Sequence, residues 1–543
     1  MISLNLDGLP DTIPLLIVGS GPVGISLALE LESLGQPVVM LESGIDAAND
    51  TIQDLSAADF ADPARHDDMS IAVARRLGGT SNLWGGRCLP YDPIDFESRP
   101  AMGGDLWPIA YTDIAPHFAK ASEYLSSGAP VFALPPGHEV STDTRFTFET
   151  LERWSNRPRL QVAHAERLKA SRLIDIRLNT SVVGLAFAED GRVCGVHVVH
   201  ANSERRLLNA DRVVLCAGGL ETTRLLLTAQ RENPARFGGV DGPLGRYYMG
   251  HVIGEIADVI YADNVLDDLA DFYVDEHGSY VRRRFVAAQE TQREHCLLNC
   301  SMWPISPPVA DARHRSGILS MVFLGLSVGP IGRLLIAEAI RKRHVPPGVS
   351  WGPHILNMLR DLPRTLAYIP QFFWKRYGSA MRLPGFFVKN SARRYGLSYH
   401  SEQVPNPDSR AVLTDTVDRN GMPRLHIDLR FSEADARSIV RTHELLNEWL
   451  VTSKLGRIEY RQAEEKNVEA VLAQAAHGTH QVGLTRMAAT PATGVVDKNL
   501  ATFDAPNLYV ASASVLPTSG QANPTFTAVA LAVRLAHHLV GKR

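Results

Sequence analysis

The sequence has 543 residues, 45% of them hydrophobic and 21% charged, which is typical of a globular enzyme of roughly two to four domains. Its net charge of −4 offers no electrostatic basis for nucleic-acid binding, so we expect no nucleic-acid partner. Five cysteines without a C-x-x-C spacing argue against a disulfide framework and a zinc site, and we expect no bound metal.

The N-terminal residues include neither a basic region nor a cleavable apolar stretch, so they do not resemble a signal peptide. No run in the sequence reaches the roughly 20 apolar residues that a membrane-spanning helix needs. The cysteines fit reduced, mostly buried thiols. These features predict a cytoplasmic protein.

A glycine turn follows the first apolar run of the chain. Residues 15–18 predict a buried parallel strand, and Gly19, Gly21 and Gly24 then give the spacing G-x-G-x-x-G. The first glycine permits a tight turn, the second lets a pyrophosphate approach the backbone, and the third lets a helix pack closely. The N-terminus of that helix favours phosphate groups. The pattern therefore predicts a dinucleotide site.

The next strand, residues 38–41, ends at Glu42. This carboxylate lies 23 residues beyond Gly19, where a partner for the ribose hydroxyls is expected, and it would repel a 2′-phosphate. NADP is therefore disfavoured, whereas this pattern alone leaves both FAD and NAD open.

Two further glycine-containing segments follow. Residues 75–91 hold four glycines among aromatic and polar residues, which predicts an irregular loop against a flat ligand. Residues 160–229 predict a strand meander, and within it residues 212–226 form a strand, a glycine turn and a helix. This turn is either a second backbone approach to the cofactor or a tight strand–helix corner, and both roles are compatible.

The middle of the chain combines an apolar segment with basic ones. Residues 318–340 are strongly apolar, residues 341–344 are basic, and aromatic and basic residues recur over 372–394. We favour a helical insertion, about 316–394, that covers the active site and turns a solvated basic face outward. The alternative is a surface that docks on a membrane or on an electron-accepting partner. Beyond it, Asn420-Gly421 predicts a hairpin in an antiparallel sheet below a substrate pocket, and residues 433–452 predict a helix.

The C-terminal part supplies candidate catalytic groups. His480 stands in the run 480–487, and Asn523 precedes Pro524, which suits the first turn of a helix. Removing hydride from an alcohol requires the hydroxyl proton to leave, and a neutral imidazole can accept it near neutral pH. Asn523 can donate a hydrogen bond to the same oxygen. We expect His477 to lie at the pocket edge and His251 to pack or hydrogen-bond near the cofactor.

These motifs resemble the glucose–methanol–choline (GMC) oxidoreductase family. They are the glycine fingerprint, residues 78–85, 217–221, 244–246 with His251, and 402–410, all in family order. The segment 480–487 with 523–525 is most similar to the pyranose-oxidase and sugar-dehydrogenase branch. The resemblance covers most of the chain outside about 260–395. It implies FAD as cofactor, and His480 with Asn523 as the catalytic pair.

The family resemblance also implies an α/β fold, with a Rossmann-like FAD-binding domain and a second α+β substrate domain on an antiparallel sheet. We expect residues 1–255 and 475–543, including the flavin loop 75–91, to form the first domain, and 256–474 the second. The residues expected at the cofactor are Gly19, Gly21, Pro22, Val23, Gly24, Glu42, Ser43, Arg76, Gly79, Thr80, Asn82, Leu83, Trp84, Gly85, Gly86, Val183, Ala217, Gly218, Glu221, Ser514, Asn523, Pro524 and Thr525.

Two positions depart from the branch pattern. Leu83 stands where pyranose oxidases have a histidine bonded to FAD, so we expect the flavin to be bound non-covalently. Ala488 replaces the glycine of the usual Arg-Met-Gly, with little expected consequence.

The resulting function hypothesis is oxidation of a sugar or glycoside hydroxyl by hydride transfer to flavin N5, with oxygen, a quinone or a protein as electron acceptor. One alternative is the same chemistry on a lipid-like or polycyclic alcohol, motivated by the apolar residues 318–340. Another is a flavin-bearing protein that docks to a membrane or a subunit.

Overall fold

The computed structural model of the chain describes residues 1–104, 106–201, 205–328, 345, 348–374, 381 and 383–541. Residues 329–344, 375–380 and 382, which belong to the apolar and basic segments singled out above, lie outside the described residues.

The described strands are β1 Ile2–Ser3, β2 Thr12–Ile13, β3 Leu16–Val18, β4 Val38–Leu41, β5 Ala58–Phe60, β6 Arg87–Cys88, β7 Phe146–Trp154, β8 Ile174–Arg177, β9 Thr180–Phe187, β10 Val193–His200, β11 Arg206–Ala210, β12 Val213–Leu215, β13 Val252–Tyr261, β14 Tyr273–Val274, β15 Tyr280–Ala287, β16 Cys300–Ile305, β17 Arg394–Ser401, β18 Arg410–Val417, β19 Pro423–Asp428, β20 Gly456–Tyr460 and β21 Leu508–Val510.

The described α-helices are α1 Pro22–Ser33, α2 Asp50–Gln53, α3 Met69–Ala72, α4 Phe118–Leu125, α5 Leu160–Ala163, α6 Ala165–Ala170, α7 Gly219–Glu232, α8 Asn264–Leu269, α9 Gln289–Glu294, α10 Gly317–Ser327, α11 Gly352–Arg360, α12 Leu362–Phe373, α13 Glu433–Thr452, α14 Asn467–Gln474 and α15 Pro524–Gly541.

A parallel six-stranded sheet in the order β1-β8-β4-β3-β12-β21 forms the first layer. Its central strands are buried on both faces, as their continuous apolar runs predict. Leu16 pairs with Val39 on one side and with Val213 on the other. The C-terminal helix α15 packs against α1, so the two ends of the chain meet on this sheet. The predicted Rossmann-like α/β domain is confirmed.

An antiparallel sheet in the order β20-β13-β17-β16-β15-β7-β6, with β14 on β15, forms the second large layer. Helix α13 begins with a capping box at Ser432 and packs near this sheet through Ile439, Leu446 and Trp449. Burying each such side chain contributes roughly 1.5–3 kcal/mol relative to leaving it exposed. The predicted second domain on an antiparallel sheet is confirmed, and the sheet includes β6 and β7 from the first 255 residues of the chain.

The hairpin predicted at Asn420-Gly421 is present, because β18 and β19 pair antiparallel and Gly421 has a positive φ of 77°. The hairpin does not join the large antiparallel sheet. It belongs to a separate three-stranded sheet, in which β19 also pairs in parallel with β5. The sequence pattern of a hairpin does not specify which sheet its outer edge will join.

The described part of the insertion contains α10, α11 and α12, and α10 packs on both of the others. Among the described helices, none combines the length and the apolar character needed to cross a membrane.

Candidate active site

A cavity lies at the carboxyl ends of β3, β4 and β12, with about 1200 Å³ of empty space that is partly open to solvent. This edge of a parallel sheet is where ligands bind in doubly wound folds. Of the predicted cofactor residues, the following line it: Gly19, Gly21, Pro22, Val23, Glu42, Ser43, Gly79, Thr80, Ala217, Gly218, Glu221, Pro524 and Thr525.

The three fingerprint glycines have different surroundings. A Cβ atom added to Gly24 would lie 2.1 Å from the carbonyl oxygen of Gly19, and one added to Gly19 would lie 2.7 Å from that of Cys216. A Cβ atom on Gly21 would meet nothing within 4 Å. The outer glycines are therefore required by the protein itself, whereas Gly21 leaves its space for a ligand, as a bound pyrophosphate requires.

Glu42 is 5% exposed, and its carboxylate connects the loops after β3 and β4. Oε2 accepts hydrogen bonds from the amide and the hydroxyl of Ser20, at 3.0 and 2.6 Å, and Oε1 accepts from the amide of Gly44 at 2.8 Å. Glu42 therefore shapes the loops beside the cavity that it also lines. Its bond to a ribose remains a prediction.

Arg75 lines the cavity, and the predicted Arg76 does not. Arg75 forms an ion pair with Glu221, whereas Arg76 donates to the carbonyl of Asp46 at 2.8 Å. Burial alone would raise the pKa of Glu221, yet the guanidiniums of Arg75 and Arg224 bring it below its ordinary value. Two adjacent arginines in an irregular segment give no sequence signal of which one faces inward.

Two other predicted residues form hydrogen bonds that stabilise the loop 78–86. Asn82 donates to the carbonyls of Leu77 and Gly79 at 3.0 and 2.8 Å, and Trp84 donates to that of Pro158 at 2.6 Å. Leu83 is 50% exposed. The other predicted cofactor residues do not line the cavity: Gly24, Arg76, Asn82, Leu83, Trp84, Gly85, Gly86, Val183, Ser514 and Asn523.

Two residues that line the cavity were not among the predicted ones, and the predicted Ser514 does not line it. Val182 lines the cavity in place of Val183, because successive side chains of β9 point to opposite faces. Gln481 also lines it, and its Oε1 accepts from the amide of Leu220 at 3.0 Å. Ser514 is hydrogen-bonded to Thr485 at 2.6 Å, outside the lining. Two sequence features pointed to these residues: the alternation of side chains along β9 for Val182, and the position next to His480 for Gln481.

The two predicted catalytic side chains are in contact. Nδ2 of Asn523 lies 3.0 Å from Nε2 of His480, and Asn523 directly precedes α15. Its Oδ1 is buried and finds no hydrogen-bond partner among the described residues. This oxygen is therefore available to accept a hydrogen bond from a polar ligand.

His251 is hydrogen-bonded to the ring nitrogen of His480 that does not contact Asn523. Their Nδ1 atoms are 2.8 Å apart, and Nε2 of His251 donates to the carbonyl of Ser519 at 3.0 Å. Since Nε2 carries the proton of neutral His251, its Nδ1 must accept from Nδ1–H of His480. Nε2 of His480 is then unprotonated and accepts from Asn523. The network thus leaves Nε2 as the one unprotonated nitrogen of the His480 ring, and this atom faces the carboxamide of Asn523.

Two more histidines surround this pair. The ring of His400 stacks on His251 at 4.2 Å, and the ring of His477 lies 4.4 Å from that of His480. Burial, followed by the nearby His477 and His251, lowers the pKa of His480 well below its ordinary 6.5. Burial also lowers the pKa of His477 to about 4. Burial lowers the pKa values of His251 and His400 as well, so the neutral form is favoured for all four rings.

Ring nitrogens of His251, His477 and His480 lie within 4.8 Å of one another. Both nitrogens of His251 and of His480 already have hydrogen-bond partners, and Nε2 of His477 lies 3.0 Å from the hydroxyl of Thr479. A metal ion would have to displace these bonds. The absence of a metal from the mechanism remains a prediction.

One face of the antiparallel sheet carries polar and aromatic groups beside the histidines. Strand register puts Arg87, Glu152, Trp303 and His400 on the same face. The guanidinium of Arg87 lies 4.6 Å from the centre of the Trp303 ring, whose centre is 6.3 Å from that of His400. Burial lowers the pKa of Arg87 to about 10, against the attraction of Glu152.

Sequence profiles of two known families match parts of the chain. The sequence profile of the GMC oxidoreductase family matches residues 405–532, and that of the FAD binding domain matches residues 40–239. The chain is 22% identical to 2-methyl-1,2-propanediol dehydrogenase of Mycolicibacterium austroafricanum, over 97% of this chain and 95% of that protein.

A shorter match, 31% identical, relates 26% of the chain to 27% of the C-glycoside 3-oxidase of Microbacterium trichothecenolyticum. Among solved structures, formate oxidase of Aspergillus oryzae RIB40 superposes with a TM-score of 0.54 at 16% identity, over 98% of each chain. At that identity the structural likeness shows a shared fold only.

Proposed function

This chain belongs to the GMC oxidoreductase family as an FAD-dependent enzyme that acts on a CH–OH group, and on that premise we propose that it oxidises a hydroxyl of a sugar or glycoside to a carbonyl. FAD supplies the hydride acceptor when it is bound. The observation that carries the proposal is the 3.0 Å contact between His480 and Asn523 beside the cofactor cavity.

The residues around the cavity suit FAD. The open space over Gly21, the N-terminus of α1 and the buried carboxylate of Glu42 suit a pyrophosphate and a ribose. Gly79, Thr80 and Pro524 would hold the remaining parts of the cofactor. Because Leu83 offers no nucleophilic atom, we propose that the flavin is bound non-covalently.

The substrate hydroxyl would enter between His480 and Asn523. Nε2 of His480 accepts the hydroxyl proton, and the carboxamide of Asn523 hydrogen-bonds the same oxygen and orients the C–H bond. Proton removal at that oxygen lets the carbonyl form as hydride leaves the carbon. The unpartnered Oδ1 of Asn523 provides a second contact for a neighbouring hydroxyl.

His251 is proposed to position the base. By accepting from Nδ1–H of His480, it fixes the tautomer in which Nε2 is free to take a proton. His251 does not touch the substrate in this scheme, and it acts only through the imidazole it holds.

The polar face of the antiparallel sheet favours a carbohydrate over a lipid-like alcohol. A charged group such as Arg87 can donate hydrogen bonds to the hydroxyls of a sugar, which an apolar chain lacks. The local similarity to a C-glycoside oxidase supports the same substrate class. The lipid-like alternative was motivated by residues 318–340, of which 329–340 lie outside the described residues.

Further parts of the proposal concern context. All five cysteines are free, which supports a reducing, cytoplasmic location. We also propose that residues 1–255 with 475–543 mainly bind FAD, and that 256–474 mainly bind the substrate. Oxygen, a quinone or a protein would reoxidise the flavin, and peroxide formation measured against dye reduction separates these acceptors.

Anaerobic titration of the purified holoenzyme tests the substrate class. Loss of the visible flavin absorbance with neutral glycosides, but not with long-chain or polycyclic alcohols, is the expected result. Bleaching by apolar alcohols alone would overturn the carbohydrate assignment.

A further inference from the structure

Helices α11 and α12 turn large apolar side chains toward solvent. The exposed residues include Leu359 at 67% and Leu366 at 58%, together with Trp351, Ile355, Leu356 and Trp374. We call this set the apolar face. Single exposed apolar residues are ordinary on protein surfaces, but a group of them along two consecutive helices, separated by Asp361 alone, marks an interaction site.

The opposite side of the same helices is polar and faces the protein. Asn357 donates to the carbonyl of Ala312 at 2.9 Å, His354 lies 3.2 Å from the hydroxyl of Ser320, and Thr365 is buried. A surface helix of a soluble protein normally has the reverse arrangement, with its apolar stripe toward the core. These hydrogen bonds fix the orientation in which the apolar face points outward.

The surrounding sequence is strongly basic, although the whole chain has a net charge of −4. Residues 341–389 contain nine Lys and Arg against one acidic residue, Asp361. The carboxylate of Asp361 accepts from the amide of Gly317 at 3.0 Å. Arg360 and Arg364 are exposed beside the apolar face. Of the nine, Arg360, Arg364 and Lys389 belong to the described residues, and Lys389 is paired with Asp268 at 2.8 Å. The exposed guanidiniums of Arg360 and Arg364 therefore complement an anionic surface at the apolar face.

We propose that the apolar face docks on an anionic lipid bilayer, with α11 and α12 lying in the plane of the interface. Apolar and tryptophan side chains enter the headgroup boundary in such an arrangement, while arginines contact lipid phosphates. Neither helix is long enough to span a membrane. A second copy of this chain fits less well, because it would bring Arg360 and Arg364 close to the same two guanidiniums of the other copy. This surface is independent of the reaction proposed above.

Flotation of the purified holoenzyme with lipid vesicles tests the proposal. The protein should float with vesicles of phosphatidylcholine mixed with phosphatidylglycerol, and less with phosphatidylcholine alone. Added salt should weaken the binding, because part of the attraction is electrostatic. Failure to float with the anionic vesicles would overturn the proposal.

Substitution locates the contact. The double variant Leu359→Glu, Leu366→Glu should lose roughly tenfold or more in vesicle binding, because it places carboxylates in the boundary layer. The control Val240→Glu changes a residue that is 68% exposed elsewhere and should bind normally. Both variants should retain FAD and substrate-dependent flavin reduction.

Unchanged flotation of the double variant would overturn the assignment of the surface. The same holds if sedimentation shows a wild-type dimer that the double substitution dissociates while vesicles bind neither protein. That outcome would assign the apolar face to a second copy.

Discussion

Nδ2 of Asn523 donates to Nε2 of His480 across 3.0 Å, so the proposed base and the proposed orienting amide are paired before any substrate arrives. A hydroxyl that enters between them exchanges one hydrogen bond for two. Because the base atom is identified by the whole network back to Ser519, changes at each member have distinct expected effects.

Replacing Asn523 tests the role of the amide. Asn523→Ala should lower the rate of flavin reduction about 10- to 100-fold through lost orientation. Asn523→Asp should lower this rate further at neutral pH. A carboxylate beside Nε2 favours the protonated imidazole, which can no longer act as the base. Rapid-mixing reduction rates across a pH series measure both. If Asn523→Asp reduced the flavin as fast as wild type, the proposed pairing would be wrong.

Replacing His251 tests the tautomer argument. His251→Asn can still accept from Nδ1–H of His480, whereas His251→Leu cannot. The asparagine variant should therefore keep much of the reduction rate, and the leucine variant should lose about 10- to 100-fold with an altered pH profile. Melting temperatures of both variants serve as the control for a purely structural effect. Equal losses in the two variants, with unchanged pH profiles, would contradict the positioning role.

The glycine fingerprint offers a matched pair of substitutions. Gly24→Ala should destabilise the protein, because its Cβ would lie 2.1 Å from the Gly19 carbonyl oxygen. Gly21→Ala meets no protein atom within 4 Å and should leave the apoprotein as stable as wild type while weakening FAD binding. Thermal melts and FAD titration of the apoproteins separate the two effects. Normal FAD affinity in Gly21→Ala would contradict the assignment of the pyrophosphate to the space beside Gly21.

Acid should destabilise the native state through the histidine cluster. The pKa values of His251, His400, His477 and His480 are all lowered by burial, to about 4 for His477. Below pH ~6.5 the unfolded chain binds protons that the native state excludes, so stability is full above that pH and falls as the pH drops toward the folded pKa values. Thermal melts between neutral and mildly acid pH would show this. A melting temperature that rises on acidification would contradict it.

Much of the site could be predicted from sequence because its signals are local. The strand, glycine turn and helix of residues 15–33 form one unit, and His480 and Asn523 stand in recognisable short segments. The contact of His480 with His251 joins residues 229 positions apart and depends on how β13 packs beside the C-terminal loops. Likewise, Arg87 meets Trp303 only through the register of the antiparallel sheet. Such pairings depend on long-range packing, for which a single sequence holds no signal.

The most direct measurement is anaerobic reduction of the His480→Ala holoenzyme by its best glycoside, compared with wild type and with a control, His295→Ala. His295 directly follows α9 and does not line the cavity. The account predicts a rate about 10²–10⁴ lower for His480→Ala, with FAD fully retained and the control unchanged. Flavin reduction at the wild-type rate in His480→Ala would contradict the assignment of this imidazole as the base.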